Sequence, residues 1–138
     1  MARTSQSGYT LLELLVVLAI LGLIIAIAAP RVMGIFEGSK AKAAKIEIAN
    51  LASAMELYRL TEGTYPSNEQ GIAALVEAPA GGSWGGPYLT RKSAVNDPWG
   101  RPYLYKSPGE HCVFDVSTPG ADGKPGGTGN DQDIGSWE

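Results

Sequence analysis

Residues 8 to 30 read GYTLLELLVVLAILGLIIAIAAP, and this stretch decides how the rest of the chain can fold. From Leu14 to Ala29 it contains only Leu, Val, Ile, Ala and Gly. The 21 residues from Tyr9 to Ala29 carry one charge, at Glu13. A helix rises about 1.5 Å per residue, so about 20 residues cross the roughly 30 Å hydrocarbon core of a bilayer. The stretch therefore predicts a membrane-spanning helix.

A cleaved secretory signal is the competing interpretation of this stretch. Such signals have a shorter apolar region, of about 7 to 15 residues, that ends in small residues. Ala26-Ile27-Ala28 satisfies the small-residue rule, but the apolar run is long and an amphipathic pattern continues past Pro30. Arg3 is the one positively charged side chain before the run, whereas Arg31 and three lysines follow it. The flanking charges would favour a cytoplasmic C-terminal side, so they do not settle the orientation.

The segment from Gly8 to Glu13, followed by an apolar run, resembles the type IV prepilin signature. The resemblance implies that a prepilin peptidase cuts between Gly8 and Tyr9, removes residues 1–8 as a leader and methylates the new N-terminus at Tyr9. It also implies a cytoplasmic N-terminus, a membrane and assembly helix over 9–30, and a globular part outside. Tyr9 is a mild departure, because phenylalanine is commoner there. Glu13 and Pro30 match positions that the family shares.

Glu13 acquires a physical role from this resemblance. Carboxylates inside a membrane are rare and normally pair with a cation. The free amine of a processed Tyr9 would lie four residues away, within reach along one helix. In the family, the Glu of one subunit attracts the N-terminus of its neighbour during assembly. The alternative is that Glu13 lies at the membrane interface and extends its carboxylate into water.

The helix is predicted to continue in amphipathic form over residues 31–62. Apolar residues recur there at intervals of three or four and share one face: Ala44, Ile48, Leu51, Met55 and Tyr58. Charged residues such as Lys40 and Glu56 fall on other faces and are most simply solvated, with a subunit or lipid-headgroup contact as the alternative. Pro30 lacks a backbone donor, so we expect a bend near it, and Gly63 is expected to end the helix.

The C-terminal part is rich in turns, since 14 of the 18 glycines and all prolines but Pro30 follow residue 60. A variable region, 63–100, is predicted to hold a short helix from Ile72 to Val76, capped by Ser67 or Asn68. Alternating apolar runs at 102–105 and 112–116 predict a β-hairpin within 101–138, and Trp137 is expected to close the core. The expected fold is α+β, a long helix packed on a small antiparallel sheet.

Five blocks resemble the major pseudopilin family of type II secretion: YRLTEGTYP (58–66), GPYL (86–89), DPWGRPY (97–103), SPGEH (107–111) and GADGKPGGTGNDQDI (120–134). The resemblance implies a non-enzymatic subunit, single-pass in the inner membrane, with residues 31–138 in the periplasm. It would polymerise into a periplasmic fibre that promotes export of folded proteins across the outer membrane. Implied partners are further copies of the chain, minor pseudopilins, the prepilin peptidase, the inner-membrane assembly platform and membrane lipid.

A type IV pilus subunit for adhesion or motility is the alternative within the wider superfamily. Such pilins usually close their C-terminal region with a disulfide, and this chain has a single cysteine, Cys112. We expect Cys112 to be a small packed side chain rather than a reactive thiol.

The segment from Thr118 to Asp133 has almost no apolar side chain, so it cannot order itself by burial. Carboxylates at Asp122, Asp131 and Asp133, with carbonyls exposed by glycine turns, suit Ca²⁺, which takes about 6–8 oxygen ligands. A flexible, solvated loop is the alternative that composition leaves open.

The pseudopilin resemblance implies a calcium site in this block. Carried over by position, Asp122 and Asp131 are side-chain ligands, and Asp133 is a further candidate. Main-chain carbonyls would come from Pro119, Lys124 and Thr128. Pro119 stands where the family usually has another apolar residue, but its carbonyl is retained.

Other functions have little support in the sequence. A net charge of −3 and a pI near 5.2 give no support for nucleic-acid binding, which usually needs a basic stripe. His111 is the only histidine, and a membrane-anchored enzyme would have to use it. It lies in a predicted turn without a recognisable nucleophile, so no catalytic residue is predicted.

Overall fold

The structure is a computed structural model that describes residues 9–79 and 84–138. The predicted leader, with Gly8, lies outside the described residues, as do residues 80–83 of the variable region. The described ranges contain one α-helix, three short 3-10 helices and a three-stranded sheet. The chain divides into two compact units, one ending at Phe36 and the other running from Glu37 to Glu138.

Helix α1, Leu11–Glu62, confirms the predicted long helix; it begins two residues after the predicted start at residue 9 and ends at residue 62 as predicted. It remains α-helical at Pro30, and the expected bend there stays a prediction. Gly63 follows with a φ of 84°, and its N–H donates to the Arg59 carbonyl at 2.9 Å. Glycine adopts this left-handed conformation without a steric penalty, so it ends the helix as predicted.

The first unit carries an apolar helical surface in which Glu13 and Arg31 are the charged residues described. Its large apolar side chains are exposed along the helix from Leu11 to Phe36, and the most apolar part of the helix has no buried residue. By length and composition α1 is able to cross a membrane. An apolar surface on every side of a helix is typical of contact with lipid or with other helices.

The sheet lies in the second unit and is antiparallel throughout. Its strands are β1, Leu104–Lys106, β2, Asp115–Thr118, and β3, Ile134–Gly135, in the order β1-β2-β3. Tyr105 pairs with Val116, so the predicted hairpin is confirmed. Both of its strands begin two or three residues later than predicted, and β3 was not predicted.

The core of the second unit forms between one face of α1 and the sheet. All five α1 residues that the periodicity predicted are buried, together with Ala54. They belong to one cluster with residues from the 3-10 helix, the sheet and its approaches: Ile72, Ala74, Leu75, Tyr103, Phe114, Val116 and Ile134. This packing of a long helix on an antiparallel sheet confirms the α+β prediction.

The predicted short helix is present as a 3-10 helix, Ile72–Leu75, which ends one residue before the predicted end at Val76. Gly71 precedes it with a φ of 56°, and no side chain caps its start. The predicted caps serve elsewhere. The Asn68 side chain exchanges two hydrogen bonds with the backbone of Ser107, at 2.9 and 2.8 Å, and Ser67 Oγ accepts from the backbone of Gln70.

Two expectations about the end of the chain were wrong. Cys112 is exposed, because it lies in the loop before β2 rather than in the strand. Trp137 is 37% exposed and stacks on His111, with ring centroids 4.0 Å apart, instead of closing the core.

Candidate functional site

The N-terminal motif begins α1 with a side-chain cap. Thr10 Oγ1 accepts a hydrogen bond from the backbone N–H of Glu13 at 3.2 Å, which satisfies one of the free donors of the first turn. Glu13 is exposed and stands in this first turn, where the partial positive charge of the helix N-terminus favours a carboxylate. The pattern Thr-x-x-Glu at residues 10–13 is a sequence signal for such a cap, which was not predicted.

The C-terminal block, residues 118–133, folds back on itself. The Ala121 N–H donates to the Asn130 carbonyl at 2.9 Å, and the Asp133 N–H donates to the Gly126 carbonyl at 3.2 Å. Gly120, with a φ of 62°, lies so close to the backbone of Asp131 and Gln132 that a side chain there would collide with it. The glycines of the block therefore permit a closely packed loop rather than an open one.

The predicted calcium ligands have different surroundings within this loop. Asp122 Oδ1 accepts from the Lys124 N–H at 3.0 Å, and Asp133 Oδ2 accepts from the Gly126 N–H at 2.9 Å. The second oxygen of Asp133, Oδ1, is buried and has no hydrogen-bond partner in the described ranges. A buried carboxylate oxygen without a donor is costly, so this atom fits a role as a cation ligand.

The three carboxylates do not by themselves form a metal centre. No group of three or more His, Cys, Asp or Glu side chains in residues 9–79 and 84–138 is arranged to hold a metal ion. A cation in this loop would need backbone carbonyls as well as carboxylates. Such an all-oxygen set, drawn from Asp122, Asp131 and Asp133 with Pro119, Lys124 and Thr128, suits Ca²⁺ in chemical type.

Asp97 organises the turn that supports this loop. The residue is 4% exposed, and its carboxylate accepts from the N–H groups of Trp99 and Arg101 at 3.0 and 2.8 Å. It also accepts from Arg101 Nε at 3.0 Å and from the Thr118 hydroxyl at 2.6 Å. Burial raises the pKa of Asp97, but the hydrogen bonds from Thr118 and Arg101 outweigh it and leave that pKa below its ordinary value.

Arg101 and Trp99 extend this network in opposite directions. Arg101 Nη2 donates to the carbonyl of Gly120, at the start of the loop. Trp99 Nε1 donates to Glu37 Oε2 on α1 at 2.6 Å. The block DPWGRPY resembles the pseudopilin family, but nothing in its local pattern indicated these long-range partners.

Asp115 organises the loop before β2 in a similar way. Its carboxylate accepts from the N–H groups of Glu110, His111 and Cys112 at 2.7 to 3.1 Å. His111 Nδ1 also lies 3.1 Å from Asp115 Oδ2, so this histidine joins Asp115 and Trp137 in a structural contact. These bonds hold residues 110–112 as a loop, which explains why β2 begins only at Asp115.

Some charged residues of α1, which were predicted to be solvated, form hydrogen bonds within the second unit. Glu47 accepts from the Tyr103 hydroxyl at 2.9 Å, and Glu56 accepts from the Tyr65 hydroxyl at 2.7 Å. Burial and the adjacent Glu47 raise the pKa of Tyr103 far above its ordinary value, so it remains a donor. These bonds attach the outer edges of the helix to the C-terminal part of the second unit.

Comparison with known proteins matches both parts of the chain. Residues 31–137 match the family described as type II secretion system (T2SS), protein G, and residues 3–29 match the prokaryotic N-terminal methylation motif. The chain is 44% identical to type II secretion system core protein G of Pseudomonas aeruginosa, over 100% of this chain and 99% of the relative. It is 40% identical to the Vibrio cholerae protein of the same description, over 96% and 92% of the two chains.

A solved structure agrees with these matches. The crystal structure of the major pseudopilin from the type 2 secretion system of enterohaemorrhagic Escherichia coli superposes with a TM-score of 0.62 at 33% identity. The superposition covers 76% of this chain and 88% of that one. The chain described here therefore belongs to the type II secretion system protein G family, the family of the major pseudopilin.

Proposed function

We propose that this chain is the major structural subunit of a type II secretion pseudopilus, a periplasmic fibre that promotes export of folded proteins across the outer membrane. The observation that carries the proposal is the division of the chain. An apolar helical surface, exposed throughout from Leu11 to Phe36, is joined to a folded second unit of the pseudopilin type. An apolar surface of this extent needs lipid before assembly and other apolar helices after it.

Maturation creates the assembly end of the subunit. The prepilin peptidase cuts between Gly8 and Tyr9 and methylates Tyr9, which leaves a cationic amine at the edge of the membrane. Glu13 of one copy then pairs with the amine of a neighbouring copy. The match of residues 3–29 to an N-terminal methylation motif supports this step. The helix around Pro30 belongs to the same assembly segment.

The subunit crosses the inner membrane once before assembly. Its N-terminus is cytoplasmic, residues 9–30 lie in lipid and residues 31–138 lie in the periplasm. Copies of the chain are its main partners, with minor pseudopilins and the inner-membrane assembly platform as further ones. The role is structural rather than enzymatic, in agreement with His111, whose ring is stacked on Trp137 and bonded to Asp115.

Calcium orders the C-terminal loop in this proposal. Asp122, Asp131 and Asp133 would hold the ion with main-chain carbonyls of the same loop. The buried, unpartnered Oδ1 of Asp133 supports this role. The ion would offset the cost of bringing several carboxylates and carbonyls together, and it would stabilise the folded subunit by RT ln(1 + [Ca²⁺]/Kd).

The test is expression of the full chain in a type II secretion system that lacks its own protein G. We expect the mature N-terminus at methylated Tyr9, fibres that can be sheared from cells, and restored export of a folded substrate. N-terminal sequencing, electron microscopy and a secretion assay measure the three results. A processed, membrane-inserted chain that forms no fibre and restores no export would contradict the proposal, and an N-terminus after Ala28 would indicate a secreted soluble protein instead.

A further inference from the structure

A chain of contacts connects the C-terminal loop to the beginning of the second unit. Arg101 is held by Asp97, with Nη2 2.9 Å from Asp97 Oδ2, and the same nitrogen donates to the Gly120 carbonyl. The Arg101 side chain also lies against Gly123, whose φ of 71° and missing side chain leave room for the guanidinium. Arg101 thus fixes the first residues of the loop on the turn at 97–101.

The same turn contacts α1 through Trp99. Its indole Nε1 donates to Glu37 Oε2 at 2.6 Å, and this bond is the main cause of the lowered pKa of Glu37. The loop itself also approaches the helix here, because a side chain added at Gly38 would lie 3.6 Å from Asn130 Oδ1. Glu37 and Gly38 are the first two residues of the second unit.

This helical turn has little intrinsic stability. Gly34 and Gly38 lie within four residues of each other, and each glycine in a helix interior lowers helix propensity relative to alanine. The six α1 residues buried in the core begin only at Ala44. The turn from Glu37 to Lys40 is held by its own ion pair, with Lys40 Nζ 3.2 Å from Glu37 Oε1, and by the contacts with Trp99 and the loop. Segments with so few buried apolar contacts are the ones that open locally.

We propose that calcium occupancy of the loop is transmitted through Arg101 and Trp99 to the Glu37–Lys40 turn of α1, so that the ion stabilises the helix where it enters the globular unit. This inference rests on the calcium site proposed above. The Gly120 carbonyl holds Arg101, Arg101 and Asp97 hold the turn that carries Trp99, and Trp99 holds Glu37. An ion that fixed the loop would reinforce each of these contacts in turn. Because coupling is reciprocal, weakening the Trp99–Glu37 bond must also weaken calcium binding.

The experiment uses the mature full chain in detergent micelles, titrated with CaCl2. Hydrogen–deuterium exchange follows the amides of residues 37–41, and calorimetry measures the calcium affinity. In the wild-type chain we expect calcium to slow exchange at 37–41 at least fivefold. In Trp99→Phe, which removes the indole donor, we expect that slowing to be lost and the affinity to fall several-fold. Amides of the core segment 48–58 report whether the variant remains folded.

Tyr65→Phe is the matched control, because it removes another aromatic donor to a glutamate of α1, the 2.7 Å bond to Glu56, away from the loop. It should keep both the wild-type slowing and the wild-type affinity. Absence of calcium binding in the wild type would overturn the calcium site and this inference together. Calcium binding that protects the loop but leaves 37–41 unchanged would overturn the coupling alone, as would full slowing in Trp99→Phe or its loss in Tyr65→Phe.

Discussion

Thr118 donates its hydroxyl hydrogen to Asp97 across 2.6 Å, and the two residues are among the most buried polar residues described, at 1% and 4% exposed. Thr118 ends β2 and begins the C-terminal loop, whereas Asp97 lies in a turn some twenty residues earlier. One carboxylate therefore holds the turn, the strand and Arg101 in a fixed arrangement. Removing such a buried acceptor leaves several donors unpaired, and this costs more free energy than any one of its hydrogen bonds contributes.

Asp97→Ala should be strongly destabilising. The substitution leaves the Thr118 hydroxyl and two backbone N–H groups without their acceptor, and it removes the carboxylate that pairs with Arg101, whose guanidinium keeps the Gly120 carbonyl. Removing one member of a buried, charged network typically costs about 3–5 kcal/mol of unfolding free energy. Denaturant unfolding of the mature chain in micelles, followed by circular dichroism, measures it.

Glu77→Ala is the control for this substitution. Glu77 also forms an ion pair, with Lys92 at 2.8 Å, but both side chains are largely exposed. Exposed pairs contribute little, so this variant should unfold like the wild type. Equal unfolding free energies of the Asp97 and Glu77 variants would contradict a stabilising role of the Asp97 network.

Acid should weaken the second unit through Asp97 and Asp115. Burial raises the pKa of Asp115, but hydrogen bonds led by the N–H of Glu110 and by His111 outweigh it, so that pKa lies below its ordinary value of 3.8. A carboxyl group whose pKa is lowered by folding stabilises the protein at a pH above the unfolded value. That contribution is lost as pH falls through the folded value. We expect the unfolding free energy to be level near neutral pH and to fall steeply below about pH 4.

Asp115→Asn separates this effect from general acid denaturation. The amide cannot ionise, so the variant should be less stable at neutral pH and should lose less stability than the wild type between pH 5 and pH 3. Denaturant unfolding at a series of pH values gives both slopes. Identical slopes for the two proteins would exclude Asp115 as a source of the acid sensitivity.

Calcium should raise the melting temperature of the mature chain. At a free concentration one hundred times the Kd, binding adds about 2.7 kcal/mol of stability. For a unit of about 100 residues this corresponds to a rise of roughly 10 °C or more. Asp122→Ala and Asp133→Ala should each abolish the rise, since each removes a carboxylate from the proposed ligand set. Glu77→Ala should keep it, and a wild-type melting curve indifferent to CaCl2 or to a chelator would eliminate the site.

Local patterns in the sequence were sufficient for the helix but not for the networks that hold the loops. The spacing of Ala44, Ile48, Leu51, Met55 and Tyr58 predicted the buried face of α1, and Gly63 predicted its end, because both depend on neighbouring residues. The roles of Asp97 and Asp115 depend on partners brought close by the fold. The predictions for Cys112 and Trp137 were wrong for the same reason. Asp115 holds residues 110–112 as a loop, which exposes Cys112 and carries the His111 ring that stacks on Trp137.

Glu13→Ala should leave membrane insertion and leader cleavage intact while preventing assembly. The proposed cleavage site at Gly8 and the apolar run from Leu14 to Ala29 are unchanged by the substitution, so we expect processing and insertion to proceed as in the wild type. In the fibre, the substitution leaves the amine of a neighbouring Tyr9 without its carboxylate. An unpaired buried charge costs on the order of 3–5 kcal/mol, which corresponds to a hundredfold or greater loss in subunit association. Glu13→Gln should fail in the same way, because it keeps the size of the side chain and removes only the charge.

Thr10→Ala distinguishes charge pairing from helix capping at this end. It removes the 3.2 Å bond from the Glu13 N–H to Thr10 Oγ1, at a cost of about 1 kcal/mol in helix stability, but it keeps the carboxylate. We therefore expect Thr10→Ala to assemble and both Glu13 variants to fail, as measured by fibre yield against the amount of processed subunit in the membrane. If Thr10→Ala failed as completely as Glu13→Ala, the requirement would be for an ordered first turn. Normal fibres from Glu13→Ala would refute the pairing itself.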